Sequence, residues 1–272
     1  LFNTASKVYM LDRNGKNVEG YPVEFKNPIA QPLTILDYDN NKKYRVFVPQ
    51  TNGDVQCLDI TGKFVKGWKY KRGKALIKPL IYTRLNKKDY LIALQNNGKV
   101  KIVNRRGEDR LKLTRKVEIF EGSTFSVDLG KDLSSTYITC SDSNGVVYKL
   151  SLKNKLETSQ IKQSEGLDAF SFMDADFDGT KDYCFTDENS FKMYNSEFKL
   201  IWEYEAEINL GQSFTTFKIG DSKQGFACLT DQQNRAFIFN ENQAASEGSP
   251  FYGYGEALIS DVNIDGRFEL VI

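Results

Sequence analysis

Asn52-Gly53-Asp54-Val55-Gln56-Cys57-Leu58-Asp59-Ile60-Thr61-Gly62-Lys63 decides the fold, because the chain repeats it. It returns as Asn97-Gly98-Lys99-Val100-Lys101-Ile102-Val103-Asn104-Arg105-Arg106-Gly107-Glu108, and again as Asn144-Gly145-Val146-Val147-Tyr148-Lys149-Leu150. Weaker copies are Asn189-Ser190-Phe191-Lys192-Met193-Tyr194-Asn195, Asn234-Arg235-Ala236-Phe237-Ile238-Phe239-Asn240 and Ser6-Lys7-Val8-Tyr9-Met10-Leu11-Asp12-Arg13-Asn14-Gly15-Lys16. Six copies at a period of roughly 45 residues mark a repeat architecture.

Within each copy apolar and polar residues alternate, as Val100 and Ile102 do against Lys99 and Lys101, which is the period of a half-buried strand. Asn-Gly pairs at 14–15, 52–53, 97–98 and 144–145 supply the positive-φ residues that tight hairpins need. No segment carries a helical stripe. A fuller unit reads as four strands: Pro32 to Leu36, Tyr44 to Pro49, Val55 to Asp59, and Phe64 to Tyr70 after the Thr61-Gly62 turn. One such unit cannot bury both faces alone and must stack on its neighbours, which predicts an all-β, six-bladed β-propeller of four-stranded antiparallel blades. The expected blades span 33–71, 80–116, 124–163, 168–207 and 213–251, with a sixth made of 256–272 plus 1–25, all in a single domain over 1–272. Joining Ile272 to Leu1 keeps the repeat register, so the N- and C-termini are expected to share the closing blade, which would leave no open sheet edge.

Composition narrows the function. Hydrophobic residues at 40% and charged residues at 27% disfavour disorder, collagen and coiled coil. No apolar run approaches the roughly 18 residues of a membrane span, and Leu1 does not open a signal peptide, so the chain reads as a mature or trimmed segment. There is no histidine, which removes the commonest general base and most zinc and iron sites. Cys57, Cys140, Cys184 and Cys228 stand far apart in apolar runs and are expected to be free, buried and without a metal. Net charge is +1, but residues 1–120 hold 25 Lys+Arg against 11 Asp+Glu while residues 121–272 hold 12 against 25. Such a split predicts an electrically polarised particle that steers toward an anionic partner or another copy of itself.

Asp174-Ala175-Asp176-Phe177-Asp178-Gly179-Thr180-Lys181-Asp182 has the form D-x-D-x-D-G-x-x-D, and Asp261-Val262-Asn263-Ile264-Asp265-Gly266-Arg267-Phe268-Glu269 is a near copy. Oxygen ligands at positions 1, 3, 5 and 9, a carbonyl at 7 and glycine at 6 suit a hard Ca²⁺ ion. An EF-hand is excluded, because Phe185 and Ile272 stand where its bidentate glutamate would and the flanks read as strands. Asp37-Tyr38-Asp39-Asn40-Asn41-Lys42 and Leu85-Asn86-Lys87-Lys88-Asp89 are degraded versions. The alternative is that Asp and Asn in these loops cap backbone N–H groups with no ion at all.

These loops resemble the FG-GAP/VCBS propeller repeat, in which the turn between the first two strands has this form and binds calcium in many members. The resemblance implies up to two structural calcium ions, held by Asp174, Asp176, Asp178, Thr180 and Asp182 and by Asp261, Asn263, Asp265, Arg267 and Glu269. The stretches Phe198-Lys199-Leu200-Ile201-Trp202-Glu203-Tyr204 and Gly62-Lys63-Phe64-Val65-Lys66-Gly67-Trp68-Lys69-Tyr70 are similar to the PQQ-type quinoprotein repeat. That family's enzymes use adjacent cysteines, which this chain lacks, so the similarity implies a propeller without PQQ. Extracellular relatives among the acidic-loop propellers imply a periplasmic or cell-surface location, whereas free cysteines suit the cytoplasm as the alternative.

Lys66, Lys69, Lys71, Arg72, Lys74 and Lys78 surround Trp68 and Tyr70. Basic grooves with stacking aromatics bind single strands. The simpler account turns Trp68 and Tyr70 inward and Lys69 and Lys71 outward on an outermost strand, and nucleic acid is disfavoured. The first expectation is therefore a non-catalytic scaffold that offers Lys66, Lys69, Lys71, Arg72 and Lys74 to a protein partner. A calcium-assisted carbohydrate-binding module is the alternative, and a histidine-free polysaccharide lyase or hydrolase ranks below both.

Overall fold

The computed structural model describes residues 1–161, 166–218, 225–240, 242, 244–253, 258–260 and 269–271. Two compact units are formed, the first by Leu1–Val117, Phe125–Ile138 and Lys149–Glu157 and the second by Glu118–Thr124, Thr139–Tyr148 and Thr158–Ile272. The architecture is all-β: no helix occurs among the described residues, and so none is long and apolar enough to cross a membrane.

In the first unit β1 (Phe2–Asn3), β2 (Lys7–Tyr9) and β3 (Val23–Glu24) form one antiparallel sheet, where two strands were expected. A second sheet comprises β4 (Thr34–Leu36), β5 (Arg45–Pro49) and β6 (Val55–Asp59). The third is four-stranded, with β7 (Ile81–Leu85), β8 (Lys88–Leu94), β9 (Lys99–Val103) and β10 (Asp109–Lys116) in order and β10 at its edge. Next along the chain, β11 (Ser126–Asp128), β12 (Tyr137–Ser141), β13 (Val146–Ser151) and β14 (Leu156–Gln160) make another four-stranded sheet.

The second unit repeats the pattern. One sheet holds β15 (Ala169–Met173), β16 (Asp182–Asp187), β17 (Ser190–Tyr194) and β18 (Leu200–Glu205). Another holds β19 (Leu210–Lys218), β20 (Gly225–Asp231), β21 (Arg235–Asn240) and β22 (Phe251–Tyr252). The hairpin of β23 (Leu258–Ser260) and β24 (Glu269–Val271) ends the described chain. The expected register across Ile272 lies outside the described residues.

Side-chain alternation explains why the sheets stack. Along β5, Val46 and Val48 join Val8, Tyr21 and Phe25 in one apolar cluster, while Phe47 joins Val55, Cys57, Leu91 and Val103 in the next. Along β16, Tyr183 and Phe185 join one cluster and Cys184 another. A middle strand is thus buried on both faces between neighbouring sheets, which accounts for the near-continuous apolar runs. Fully burying a side chain such as Phe47 or Phe185 is worth about 1.5–3 kcal/mol. All four cysteines are buried free thiols, as expected, and burial pushes Cys57 and Cys228 up to about 12.

The Asn-Gly turns use glycine alone in the left-handed region. Gly53 has φ +84° and Asn52 does not share it; the Asn52 side chain instead accepts a hydrogen bond from the Asp54 N–H at 3.0 Å. Gly53 also lies against the Gly73 carbonyl, so a Cβ there would collide with backbone.

The expected fourth strand over Phe64 to Tyr70 is absent. Only a bridge between Leu58 and Phe64 forms, and Gly67 at φ +83° turns the chain away. Trp68 then takes the place of backbone pairing: its indole Nε1 donates to the Val55 carbonyl of β6 at 2.6 Å.

Candidate functional site

The acidic loop joins β15 to β16 in the second unit. Asp182 opens β16 with its side chain fully buried, and its Oδ2 accepts the Ala175 N–H at 2.9 Å. Asp174 Oδ2 accepts the Gly179 N–H at 3.2 Å, and Asp176 Oδ1 accepts the Asp178 N–H at 3.1 Å. Phe177 at φ +64° and Gly179 at φ +95° supply the tight curl that brings these carboxylates inward. Ligand oxygens of Asp174, Asp176 and Asp182 all lie within 4.8 Å of one another. Opposite oxygens around one Ca²⁺ stand about 5 Å apart, from bond lengths near 2.3–2.6 Å.

Two features of the cluster are ones that a bound cation would relieve. Asp174 Oδ1 and Asp182 Oδ1 are buried and have no hydrogen-bond partner. Burial, partly offset by the Ala175 N–H and reinforced by the Asp176 charge, pushes the Asp182 carboxyl up to about 6. Burial likewise raises Asp176. Among the described residues no lysine or arginine pairs with Asp174, Asp176 or Asp182. Asp178 and Thr180, also expected as ligands, are exposed and turned to each other: Asp178 Oδ1 accepts from Thr180 N and Oγ1, each at 2.6 Å. Of the second loop, Asp261, Asn263, Asp265 and Arg267 lie outside the described residues, and Glu269 is half-buried at the start of β24, opposite Ser260.

In the degraded loops a guanidinium supplies the positive charge. Arg105 donates through Nε to Asp89 Oδ2 at 2.7 Å and through Nη1 and Nη2 to Asp39 at 3.0 and 3.2 Å. The same cation lies 4.8 Å from the centre of the Tyr38 ring.

The basic cluster lies in the first unit, on the irregular segment after β6. Lys66, Lys69, Lys71, Arg72 and Lys74 are all exposed, whereas Trp68 and Tyr70 are half-buried and stacked at 6.2 Å, 8° from parallel. Lys69 pairs with Glu108 at 2.7 Å; among the described residues the other four have no carboxylate partner. The segment is held at two points: the Lys69 N–H donates to the Arg106 carbonyl at 2.8 Å, and the chain packs so closely on Gly107 that a Cβ there would meet the Tyr70 backbone nitrogen at 2.7 Å.

Comparison with known proteins adds the fold and no more. No family model matches the chain, and no curated protein does. Among solved structures it is similar to BBS1N in its complex with ARL6DN, with a TM-score of 0.59 at 15% identity over 84% of this chain and 71% of that one. A second crystal of that complex gives 0.58 at 13% identity over 91% and 74%. BamB from Moraxella catarrhalis gives 0.54 at 14% over 96% and 73%. The fold is that of a β-propeller.

Proposed function

We propose that the chain is a non-catalytic binding scaffold whose exposed basic ridge, Lys66, Lys71, Arg72 and Lys74, docks an acidic protein partner. The observation that carries this is the pairing of exposed, unneutralised cations with a segment held in place by Trp68. A rigid charged rim gains association rate and selectivity without ordering cost at the moment of binding. BBS1N, a protein of like fold, is found in complex with ARL6DN, and that supports partner binding as a use of this architecture. Lys69 belongs to the ridge but spends its charge on Glu108. We also propose one structural Ca²⁺ held by Asp174, Asp176 and Asp182, with no catalytic role.

The test is affinity capture from the native organism with the wild type and with Lys66, Lys71, Arg72 and Lys74 all changed to Glu. The wild type should retain a salt-sensitive partner that the variant loses. Identical captured proteins with identical salt dependence would sink the scaffold reading.

A further inference from the structure

Beside the ridge, in the same unit, lies a groove of about 550 Å³ along β9 and β10. Its walls include Lys99, Lys101, Arg110, Leu111, Lys112 and Leu113. Two contacts join it to the ridge: Lys101 Nζ donates to the Lys71 carbonyl, and Gly73 sits against the Gln95 amide that lines the groove floor. Four cations face a single acid, Asp109, which stands 3.6 Å from Lys101. Arg110 adds a fixed guanidinium to this wall, lying 5.3 Å from the centre of the Tyr90 ring.

The lining is also partly apolar. Leu111 and Leu113 alternate with Arg110 and Lys112 along β10, and the β9–β10 register slips between Asp109 and Leu111 and again between Lys112 and Lys116. Bulges of this kind re-aim side chains at sheet edges. A ligand with carboxylates and apolar groups at similar spacing matches this surface. Nucleic acid matches it less well, because base stacking needs a free aromatic face. Tyr70 is stacked by Trp68 on one side and covered by Lys101 Nζ at 4.3 Å, and Tyr90 is buried beneath Arg110.

We infer that the β9–β10 groove is the docking site for an extended acidic segment of a protein partner, one in which Asp or Glu alternates with apolar residues. This names the partner class for the scaffold reading above and rests on it. It adds Lys99, Lys101, Arg110 and Lys112 to the binding surface.

The experiment is a fluorescence-anisotropy titration of the whole chain with a short labelled peptide of alternating Glu and Leu. A Gln-Leu peptide and a single-stranded oligonucleotide of equal charge serve as comparators. Lys99 and Lys112 are exposed, so K99E/K112E should keep the wild-type circular dichroism and melting curve. The wild type should bind the Glu-Leu peptide, and K99E/K112E should bind it roughly tenfold more weakly or worse. Absence of peptide binding, equal binding by the variant, or tighter binding of the oligonucleotide would each overturn the inference. Should the titration fail while partner capture still depends on Lys66, Lys71, Arg72 and Lys74, the groove assignment falls and the scaffold reading stands.

Discussion

Asp89 is buried, and burial alone would raise its pKa, yet the hydrogen bonds from Arg105 at 2.7 Å and the Tyr82 hydroxyl at 2.8 Å outweigh burial and hold it below its ordinary value. A carboxyl depressed by folding contributes stability above its unfolded pKa and loses that contribution as pH falls through the folded one. The first unit should therefore weaken on acidification below the ordinary carboxylate range. Asp89→Asn should cost about 2 kcal/mol at neutral pH, since it removes a charge-assisted hydrogen bond from a buried site. It should also lose stability less steeply in acid than the wild type does. Urea midpoints across the acid range check both, and parallel pH profiles would refute the assignment. At this scale the D-x-D-x-D-G pattern names Asp174, Asp176 and Asp182 together, and the fold brings their oxygens within 4.8 Å of one another. Asp178 and Thr180, which the same pattern names, are exposed, and Asp178 Oδ1 accepts from Thr180 N and Oγ1. The Arg105 bridge gave no signal, since its two acids lie 66 and 16 residues away in sequence.

Among elements, the middle strands were the legible ones. Val55–Asp59 forms over its full expected range and Arg45–Pro49 to within one residue, because each carries apolar side chains for both neighbouring clusters. Phe64 to Tyr70 shows similar alternation yet forms no strand, because an outer segment can be held by one side-chain anchor in place of a hydrogen-bonded ladder. Trp68 is that anchor. Trp68→Phe keeps an aromatic ring against Phe47 but leaves the buried Val55 carbonyl without its donor, an expected loss of roughly 1–3 kcal/mol. The urea midpoint of the first unit, followed by far-ultraviolet circular dichroism, measures it, and an unchanged midpoint would show that the indole hydrogen bond anchors nothing. The β9–β10 groove was hidden from sequence reading for a related reason. Lys99, Lys101 and Lys112 converge only through a bulged register, and a repeat pattern assumes a regular one.

At the scale of the whole molecule the charge division sharpens. Counted by structural unit, the first holds 29 Lys+Arg against 13 Asp+Glu and the second 8 against 23, net +16 and −15. The cationic ridge and groove belong to the first unit, and the Asp174 cluster belongs to the second. The chain's two tryptophans divide the same way, Trp68 in the first unit and Trp202 in the second, so each unit carries its own fluorescent reporter. Trp202 shares an apolar cluster with Ala175, which lies between Asp174 and Asp176, and this couples the reporter to the acidic loop. A ligand that binds only the folded state stabilises by about 2.7 kcal/mol at a hundredfold excess over its Kd. For a unit of this size that is a rise of roughly 10 °C in melting midpoint. Calcium should therefore raise the Trp202 transition by about that much over the value with chelator, measured in the Trp68→Phe chain so that Trp202 is the one tryptophan, excited where tyrosine does not absorb. Asp182→Asn, which removes the most deeply buried carboxylate of the three, should abolish the rise while leaving the fold in place. A Trp202 midpoint that is the same with calcium and with chelator would exclude a structural ion at the loop, and the carboxylates would then stand as turn chemistry alone.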